Sequence, residues 1–155
     1  MTTKDQPLHI LLVEDDEVDA LAIRRALRKL AANVVLSVAE DGLTALQMMR
    51  GSKTYGRIES PYIVLLDWKL PRMHGGEFLR ELRADPALRS TMVFVMSTSD
   101  AAEDRRLAYE FNVAGYFLKG GIKDGFTTAI ATLLQFCELV ELPEQDHKRT
   151  SRLSA

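Results

Sequence analysis

The strongest constraint on the fold is a buried-strand pattern that ends in one acid, in the segment Tyr62–Leu66 followed by Asp67. The run is short, contains β-branched residues and follows Pro61, which is typical of a strand buried on both faces. Strands of this kind belong to parallel sheets. Because open α/β folds bind ligands at the carboxyl edge of the sheet, Asp67 is the first candidate functional residue. The alternative is that Asp67 only caps the turn after the strand.

The same pattern of apolar runs recurs along the chain. We predict further strands at 8–13, 33–38, 91–96 and 115–118. We predict amphipathic helices at about 17–31, from Gly42 to Met49 or Arg50, around 78–82 and ending before Asp85, and at about 122–139. Another helix, which contains Leu107, Ala108 and Phe111, is predicted to begin at a capping box of Asp100 and Glu103. Strands that alternate with helices indicate right-handed βαβ units. The predicted fold is therefore an α/β flavodoxin-like (βα)5 three-layer sandwich with a five-stranded parallel sheet in the order 2-1-3-4-5.

The composition suits one domain with a single core, because 46% of the 155 residues are hydrophobic and 27% are charged. We predict this domain over residues 1–143 and a disordered, polar tail over 144–155. The formal net charge of -2 gives no general attraction to nucleic acid. No apolar run has the length of a membrane span, and no secretory signal or disulfide partner for Cys137 is present. These features predict a cytoplasmic protein with neither nucleic acid nor a membrane as its partner.

Four of the predicted strands end in polar residues that suit one task. Under the order 2-1-3-4-5, the fold would bring together Glu14, Asp15, Asp67, Ser97 and Lys119 at one edge of the sheet. Carboxylates without neighbouring His or Cys predict a site for a hard cation such as Mg²⁺. A hydroxyl and an ammonium suit the oxygens of a phosphoryl group. The sequence therefore predicts a site that holds a cation and phosphate.

The route by which phosphate reaches this site follows from a missing motif. Neither G-x-x-x-x-G-K-[ST] nor G-x-G-x-x-G after a strand is present, so a nucleotide cradle is not predicted. The simplest interpretation is that phosphate becomes attached to Asp67 as an aspartyl phosphate. The hydroxyl that contacts the phosphoryl group could be that of Thr98 instead of Ser97, so this assignment stays open. Asp16 is better explained as a helix cap than as a ligand of the cation.

Several motifs resemble the receiver domain of two-component response regulators, the CheY-like family. They are ILLVEDD, LLDWKLPRMHGGEFL, the Ser97-Thr98 pair after a buried strand, and GYFLK at 115–119. The resemblance covers about 8–139 and identifies the predicted domain at 1–143 as a receiver domain. It implies that Asp67 accepts phosphate from a sensor histidine kinase. It also implies that the protein is a signalling protein, with no enzymatic activity beyond promoting its own phosphorylation and dephosphorylation.

The resemblance implies the ligands of the cation. Asp15 would bind Mg²⁺ directly and Glu14 directly or through water. The phosphoacceptor Asp67 and the backbone carbonyl of Lys69 would complete the ligands from the protein.

The resemblance also implies roles around the phosphoryl group. Ser97 and Lys119 would bind its oxygens, and Tyr116 would be the aromatic switch that turns inward as Ser97 moves. From its residue type alone, Tyr116 fits a half-buried packing aromatic equally well. Lys69 and Ser99, each two positions after a site residue, would tune dephosphorylation, and we expect Lys69 to shield the acyl phosphate.

A finer resemblance is to the single-domain regulators that pair with bacterial and cyanobacterial phytochromes. The long loop at 51–60 and the last helix, which runs into 138–143, carry this likeness, so a phytochrome kinase is a candidate phosphate donor. Because we expect no separate output domain, the output would be binding to another protein. Phe136 and Leu139 extend the apolar face of the last helix. We predict a homodimer through this helix together with the fourth helix and fifth strand.

One departure from the family pattern follows Lys119. The family usually has proline at this point, whereas Gly120 and Gly121 stand here, which predicts a more mobile loop and a less firmly aimed lysine. This departure supports an alternative function, a pseudo-receiver that binds partners without being phosphorylated. A phosphohydrolase of the haloacid dehalogenase type is less compatible, because it needs a carboxylate where Lys69 stands. A flavin-binding module is also less compatible with the sequence, because the acids after the first strand would repel the flavin phosphate.

Overall fold

The computed structural model describes residues 6–30, 33–121 and 123–145. Within these ranges the strands are β1 Leu8–Val13, β2 Val34–Ala39, β3 Tyr62–Asp67, β4 Val93–Ser97 and β5 Gly115–Leu118. The helices are α1 Glu17–Leu30, α2 Gly42–Arg50, α3 Gly75–Ala84, α4 Ala102–Glu110 and α5 Thr127–Leu139. The strands form one parallel sheet in the order β2-β1-β3-β4-β5. The predicted fold and strand order are confirmed.

The central strand β3 fixes the position of Asp67. Every residue of β3 is buried, and the strand pairs with β1 on one side and β4 on the other. The register places Leu66 beside Val13 and Asp67 beside Met96. Asp67 therefore lies at the carboxyl edge of the sheet, next to the end of β1 and near the end of β4.

The apolar residues of β3 are divided between two hydrophobic cores, because successive side chains point to opposite faces of the sheet. Val64 and Leu66 belong to a core with residues of α2 and α3, such as Phe78. Ile63 and Leu65 belong to a core with residues of α1 and α5. This division explains the continuous apolar run, because both faces are covered by helices. Among the described helices, none has both the length and the apolar character that crossing a bilayer requires.

The start of α4 differs from the prediction. The N-cap is Ala101, and no side-chain cap hydrogen bond is made there, so the predicted capping box of Asp100 and Glu103 is wrong. The hydroxyl of Ser99 instead accepts a hydrogen bond of 3.2 Å from the Ala101 N–H. The side chain of Asp100, for which the cap was predicted, is exposed.

The last helix begins later than the prediction of residue 122, a position outside the described residues. The chain first makes a 3-10 turn at Lys119–Gly121, and α5 starts at Thr127. Gly125 and Phe126 adopt left-handed backbone conformations, with φ of 63° and 72°, which are incompatible with a continuous α-helix. The carboxylate of Asp124 accepts from the Thr128 N–H at 3.0 Å and thereby caps the first turn.

The chain after α5 is ordered further than predicted. Gln145, which we expected to lie in a disordered tail, is 5% exposed. Its side-chain amide donates to the Tyr62 carbonyl and the Thr91 hydroxyl, each at 3.2 Å, and its backbone N–H donates to the Ser60 hydroxyl at 2.9 Å. These contacts hold the segment against the amino ends of β3 and β4. Residues 146–155 of the predicted tail lie outside the described residues.

Candidate functional site

Three carboxylates converge where β1 and β3 end. Glu14, Asp15 and Asp67 each offer one oxygen, and these oxygens lie within 4.8 Å of one another. Glu14 and Asp67 are buried, whereas Asp15 is exposed and can be reached from solvent. A set of oxygen donors without nitrogen or sulfur suits a hard cation such as Mg²⁺ rather than zinc. The residues present therefore fit a divalent cation of this class.

Lys119 reaches the same cluster from the end of β5. Its Nζ atom lies 2.9 Å from Glu14 Oε2, 2.9 Å from Asp19 Oδ2 and 3.5 Å from Asp67 Oδ1. Burial lowers the pKa of Lys119, but the hydrogen bonds to Asp19 and Glu14 outweigh it, so the pKa is raised above its ordinary value. The ammonium therefore stays charged and offsets part of the negative charge of the cluster.

Both oxygens of Glu14 are already engaged. Oε1 accepts from the Asp16 N–H at 3.1 Å, and Oε2 accepts from Lys119. Burial raises the pKa of Glu14 to about 7, and Asp67 adds to this rise although Lys119 opposes it. Asp15 and Asp67 are consequently the carboxylates that a cation could bind without displacing these two hydrogen bonds.

The neighbouring acid Asp16 has a structural role. Its Oδ1 accepts from the Val18 N–H at 2.8 Å and from the Asp19 N–H at 3.2 Å, both in the first turn of α1. These bonds satisfy backbone groups that a helix start otherwise leaves unpaired. The interpretation of Asp16 as a helix cap is confirmed.

Ser97 and Thr98 differ sharply in their surroundings. Ser97 is the last residue of β4 and is fully buried, whereas Thr98 is exposed. In the sheet register Met96 lies beside Asp67, so Ser97 follows one residue further along the neighbouring strand. Its Oγ accepts from the Ser99 N–H at 3.0 Å. These observations favour Ser97 over Thr98 as the hydroxyl of the site.

Ser99 connects the end of β4 to α4 and β5. Its Oγ donates to Asp104 Oδ2 at 2.6 Å, and its carbonyl accepts from the Tyr116 hydroxyl at 3.0 Å. The hydrogen bond from Ser99 holds the pKa of Asp104 below its ordinary value. Tyr116 is half-buried, and its hydroxyl is directed towards this loop. The predicted residues Ser97, Ser99 and Tyr116 are thus joined through one loop by local hydrogen bonds.

The loop after Asp67 is fixed by close packing. The Trp68 N–H donates to the Met96 carbonyl at 3.1 Å, and the Gly75 N–H donates to the Trp68 carbonyl at 3.0 Å. A Cβ atom on Gly75 would lie 2.9 Å from the Trp68 ring and carbonyl oxygen, so only glycine fits there. Arg72 forms an ion pair with the buried carboxylate of Asp41. Lys69, in the same loop, is exposed.

Two residues of the site were not predicted from the sequence. Asp19 contacts Lys119 from the first turn of α1, and Asp104 contacts Ser99 from the first turn of α4. Acids are common in first turns because they favour the helix dipole, so neither residue stands out in the sequence. Asp19 lies in the first helical turn directly after the acids Glu14 and Asp15, and this closeness in sequence is the signal that could have placed it near the cluster.

A five-stranded parallel sheet with carboxylates and a lysine gathered at its carboxyl edge defines a receiver-type α/β protein. Residues 10–131 match the family described as the response regulator receiver domain, and the chain belongs to this family.

The most similar proteins include response regulators of cyanobacteria. The chain is 32% identical over 138 residues to the response regulator Rcp1 of Synechocystis sp., which covers 88% of this chain and 94% of Rcp1. A crystal structure of the Mn²⁺-bound form of Rcp1 matches with a TM-score of 0.77 at 30% identity, covering 88% of this chain and 99% of that one. The phosphorylated cyanobacterial phytochrome response regulator RcpA matches with a TM-score of 0.79 at 29% identity, covering 87% and 97%. The resemblance to phytochrome-associated response regulators is confirmed.

Proposed function

We propose that this protein is a response regulator that accepts a phosphoryl group on Asp67 from a sensor histidine kinase and signals by changing its binding to other proteins. The observation that carries the proposal is the gathering of Glu14, Asp15, Asp67 and Lys119 at one edge of the sheet. Membership in the receiver family supports it.

The transfer would use the carboxylate of Asp67 as the nucleophile. One of its oxygens attacks the phosphorus of the phosphohistidine, the P–N bond breaks, and the electron pair leaves with the imidazole nitrogen, which then takes up a proton. Lys119 lies 3.5 Å from Asp67 Oδ1, so its ammonium is placed to pair with the oxygens of the arriving group. The buried surroundings of Asp67 limit the access of water to the acyl phosphate.

The cation ligands we propose are Asp15, Asp67 and the backbone carbonyl of Lys69, with Glu14 acting through water. The engagement of both Glu14 oxygens supports the indirect role. Mg²⁺, when bound, would neutralise charge on the phosphoryl oxygens and on the two aspartates. The related regulator Rcp1 has a Mn²⁺-bound form, which supports a divalent cation here.

The conformational response would begin at the loop after β4. A phosphoryl group on Asp67 attracts the hydroxyl of Ser97, which now accepts from the Ser99 N–H. Movement of this loop would change the hydrogen bond between Ser99 and Tyr116 and shift the surface formed by α4 and β5. Phosphorylation would thus alter the population of a binding surface rather than create a new site.

Intact mass spectrometry after incubation with acetyl phosphate and Mg²⁺ tests the phosphoacceptor. We expect the mass of one phosphoryl group to be added to the wild type and to Asp16→Asn, in which the cap is retained, but not to Asp67→Asn. Addition of EDTA should prevent the reaction. If the wild type gains no mass, the chain is a pseudo-receiver that works as an interaction module only.

We propose a phytochrome kinase as the phosphate donor. The proposal is supported by the likeness to RcpA, a phytochrome response regulator. Autophosphorylated phytochrome kinases should transfer phosphate faster than kinases with other sensor domains. Equal transfer from both groups would contradict this assignment.

We propose that Lys69 and Ser99 tune the lifetime of the acyl phosphate. Lys69 is exposed in the loop two residues after Asp67, where its side chain can cover the phosphoryl group from solvent. Lys69→Ala should shorten the dephosphorylation half-life, whereas Lys53→Ala, a change at another exposed lysine, should not. An unchanged half-life in Lys69→Ala would contradict the shielding role.

We propose a homodimer through α5, α4 and β5. Exposed apolar side chains on these elements support it, namely Leu107 at 36%, Leu118 at 39%, Phe136 at 38% and Leu139 at 82%. Light scattering at micromolar protein should show a dimer that Leu139→Glu dissociates. Val18→Glu is the matched control, because Val18 is exposed and apolar but lies on α1. Detection of monomer alone, with and without a phosphate mimic, would exclude the dimer.

A further inference from the structure

We propose that Asp19 is a positioning residue for Lys119, which is followed in the chain by Gly120 and Gly121. This inference rests on the proposed function, because it assigns Lys119 to the phosphoryl group. The contact that carries it is the 2.9 Å hydrogen bond from Lys119 Nζ to Asp19 Oδ2.

The backbone beside Lys119 provides few constraints of its own. Lys119 opens a 3-10 turn whose other members are Gly120 and Gly121. Apart from the chain neighbours, no atom of the described residues lies within 4 Å of where a Cβ on either glycine would be, so a side chain there would meet open space. Because glycine also permits a wide range of backbone angles, the backbone here restrains the lysine weakly. The side chain must be held mainly at its ammonium.

Asp19 differs from the two other carboxylates that hold this ammonium. Glu14 and Asp67 belong to the cluster that fits a cation, and Asp67 is the proposed phosphoacceptor. Asp19 stands outside that cluster, so a cation or a phosphoryl group bound there does not need the carboxylate oxygen that holds Lys119. It is therefore the anchor that does not depend on the state of the site.

Asp19 is itself held in place. It lies in the first turn of α1, and its N–H donates to the capping carboxylate of Asp16 at 3.2 Å. Its side chain is 26% exposed and that of Lys119 only 11%, so the ion pair is partly shielded from water and is worth more than a surface pair. An anchor on a capped helix can fix the ammonium near Asp67 and lower the entropy lost when Lys119 engages the phosphoryl group.

The alternative is that Asp19 only favours the dipole of α1, as any acid in a first turn does. Glu17 offers a matched control, because it lies in the same first turn, carries the same charge and is exposed. If the helix dipole is the whole explanation, Glu17→Gln and Asp19→Asn should have equal effects.

The first measurement is the rate of phosphorylation by acetyl phosphate with Mg²⁺. We expect Asp19→Asn to lower this rate about tenfold, because a charge-assisted hydrogen bond is lost. Glu17→Gln should leave it unchanged. Gly120→Ala reduces backbone freedom beside Lys119 without a steric clash. In this background, the loss of rate caused by Asp19→Asn should be at least about twofold smaller. Such a non-additive result would not arise if Asp19 only stabilised α1.

The second measurement does not require phosphorylation and so separates this inference from the proposed function. The rate at which an amine-acetylating reagent modifies Lys119 is followed by peptide mass spectrometry, with the exposed Lys123 as internal reference. Asp19→Asn should raise the labelling of Lys119 severalfold relative to Lys123, and Glu17→Gln should not. Equal labelling of Lys119 in the wild type and in Asp19→Asn overturns the inference. If the labelling rises in Asp19→Asn but the wild type gains no phosphate, only the proposed function is overturned.

Discussion

The two halves of the site are held together by different kinds of contact. The first half contains the charged groups at the ends of β1, β3 and β5, and consists of Glu14, Asp15, Asp67 and Lys119. The second contains the groups between β4, α4 and β5, and consists of Ser97, Ser99, Asp104 and Tyr116. We call them the charged half and the loop half.

The charged half is joined by contacts between residues far apart in the chain, as between Lys119 and Glu14, which are 105 positions apart. The bonds of the loop half are more local: Ser97 to Ser99 spans two positions, Ser99 to Asp104 five, and Tyr116 to Ser99 seventeen. The complete fold is therefore needed to assemble the charged half. The loop half depends mainly on the short segment between β4 and α4, because Ser99 takes part in each of its hydrogen bonds.

The largest expected effect comes from removing the ammonium of Lys119 from the charged half. Lys119→Met should lower the free energy of unfolding by about 3 kcal/mol at pH 8, because buried carboxylates lose their counter-charge. Mg²⁺ should restore part of the loss by binding only the folded state. Urea denaturation with and without Mg²⁺ measures both effects, with Lys123→Met as the control at an exposed lysine. A loss no larger than in the control would mean that the charged half is not held by this ammonium.

A somewhat smaller effect concerns pH. The pKa of Glu14 is raised from its ordinary value near 4.5 to about 7, so the folded state binds a proton more tightly than the unfolded state. Without Mg²⁺, the stability from this group is fully present below about pH 4.5 and is lost as the pH rises through about 7. The lowered pKa values of Asp41 and Asp104 act at lower pH. Glu14→Gln should flatten the profile of denaturation against pH between 4.5 and 7, and an unchanged slope would contradict the assignment.

The smallest effect belongs to the loop half. Asp104→Asn weakens the hydrogen bond from Ser99 and should cost about 1 kcal/mol. Amide hydrogen exchange at 98–101 should become severalfold faster, while the affinity for Mg²⁺, followed by the fluorescence of Trp68, should stay the same. Glu103→Gln, at an exposed acid in the same turn, is the control. A change in Mg²⁺ affinity in Asp104→Asn alone would show that the two halves are coupled before phosphorylation.

The sequence was most informative where hydrophobic burial determines the structure. The apolar run that ends in Asp67 predicted both the central strand and the position of this residue, because only a strand covered on both faces is apolar at every position. The alternation of strands and helices then predicted the strand order and the gathering of Glu14, Asp15 and Lys119.

The sequence was less informative where polar groups compete for the same partners. The capping box at Asp100 was wrong because the hydroxyl of Ser99 takes its place, and this competition depends on geometry rather than on residue type. The role of Asp19 could not be told from that of an ordinary first-turn acid. Gln145 was placed in a disordered tail because its segment is polar. The hydrogen bonds that its side chain makes when buried cannot be read from the sequence.

The complete burial of β3 has a mechanical consequence for signalling. Tightly packed interiors resist compression, so a bulky negative group attached to the tip of this strand cannot be relieved by displacing the strand itself. The compliance must come from the flanking connections, and the one after Asp67 is clamped by Trp68 and Gly75. The stiff centre of the domain would therefore direct the strain outwards, through the segment after β4, to α4 and β5, where we propose that the binding surface changes.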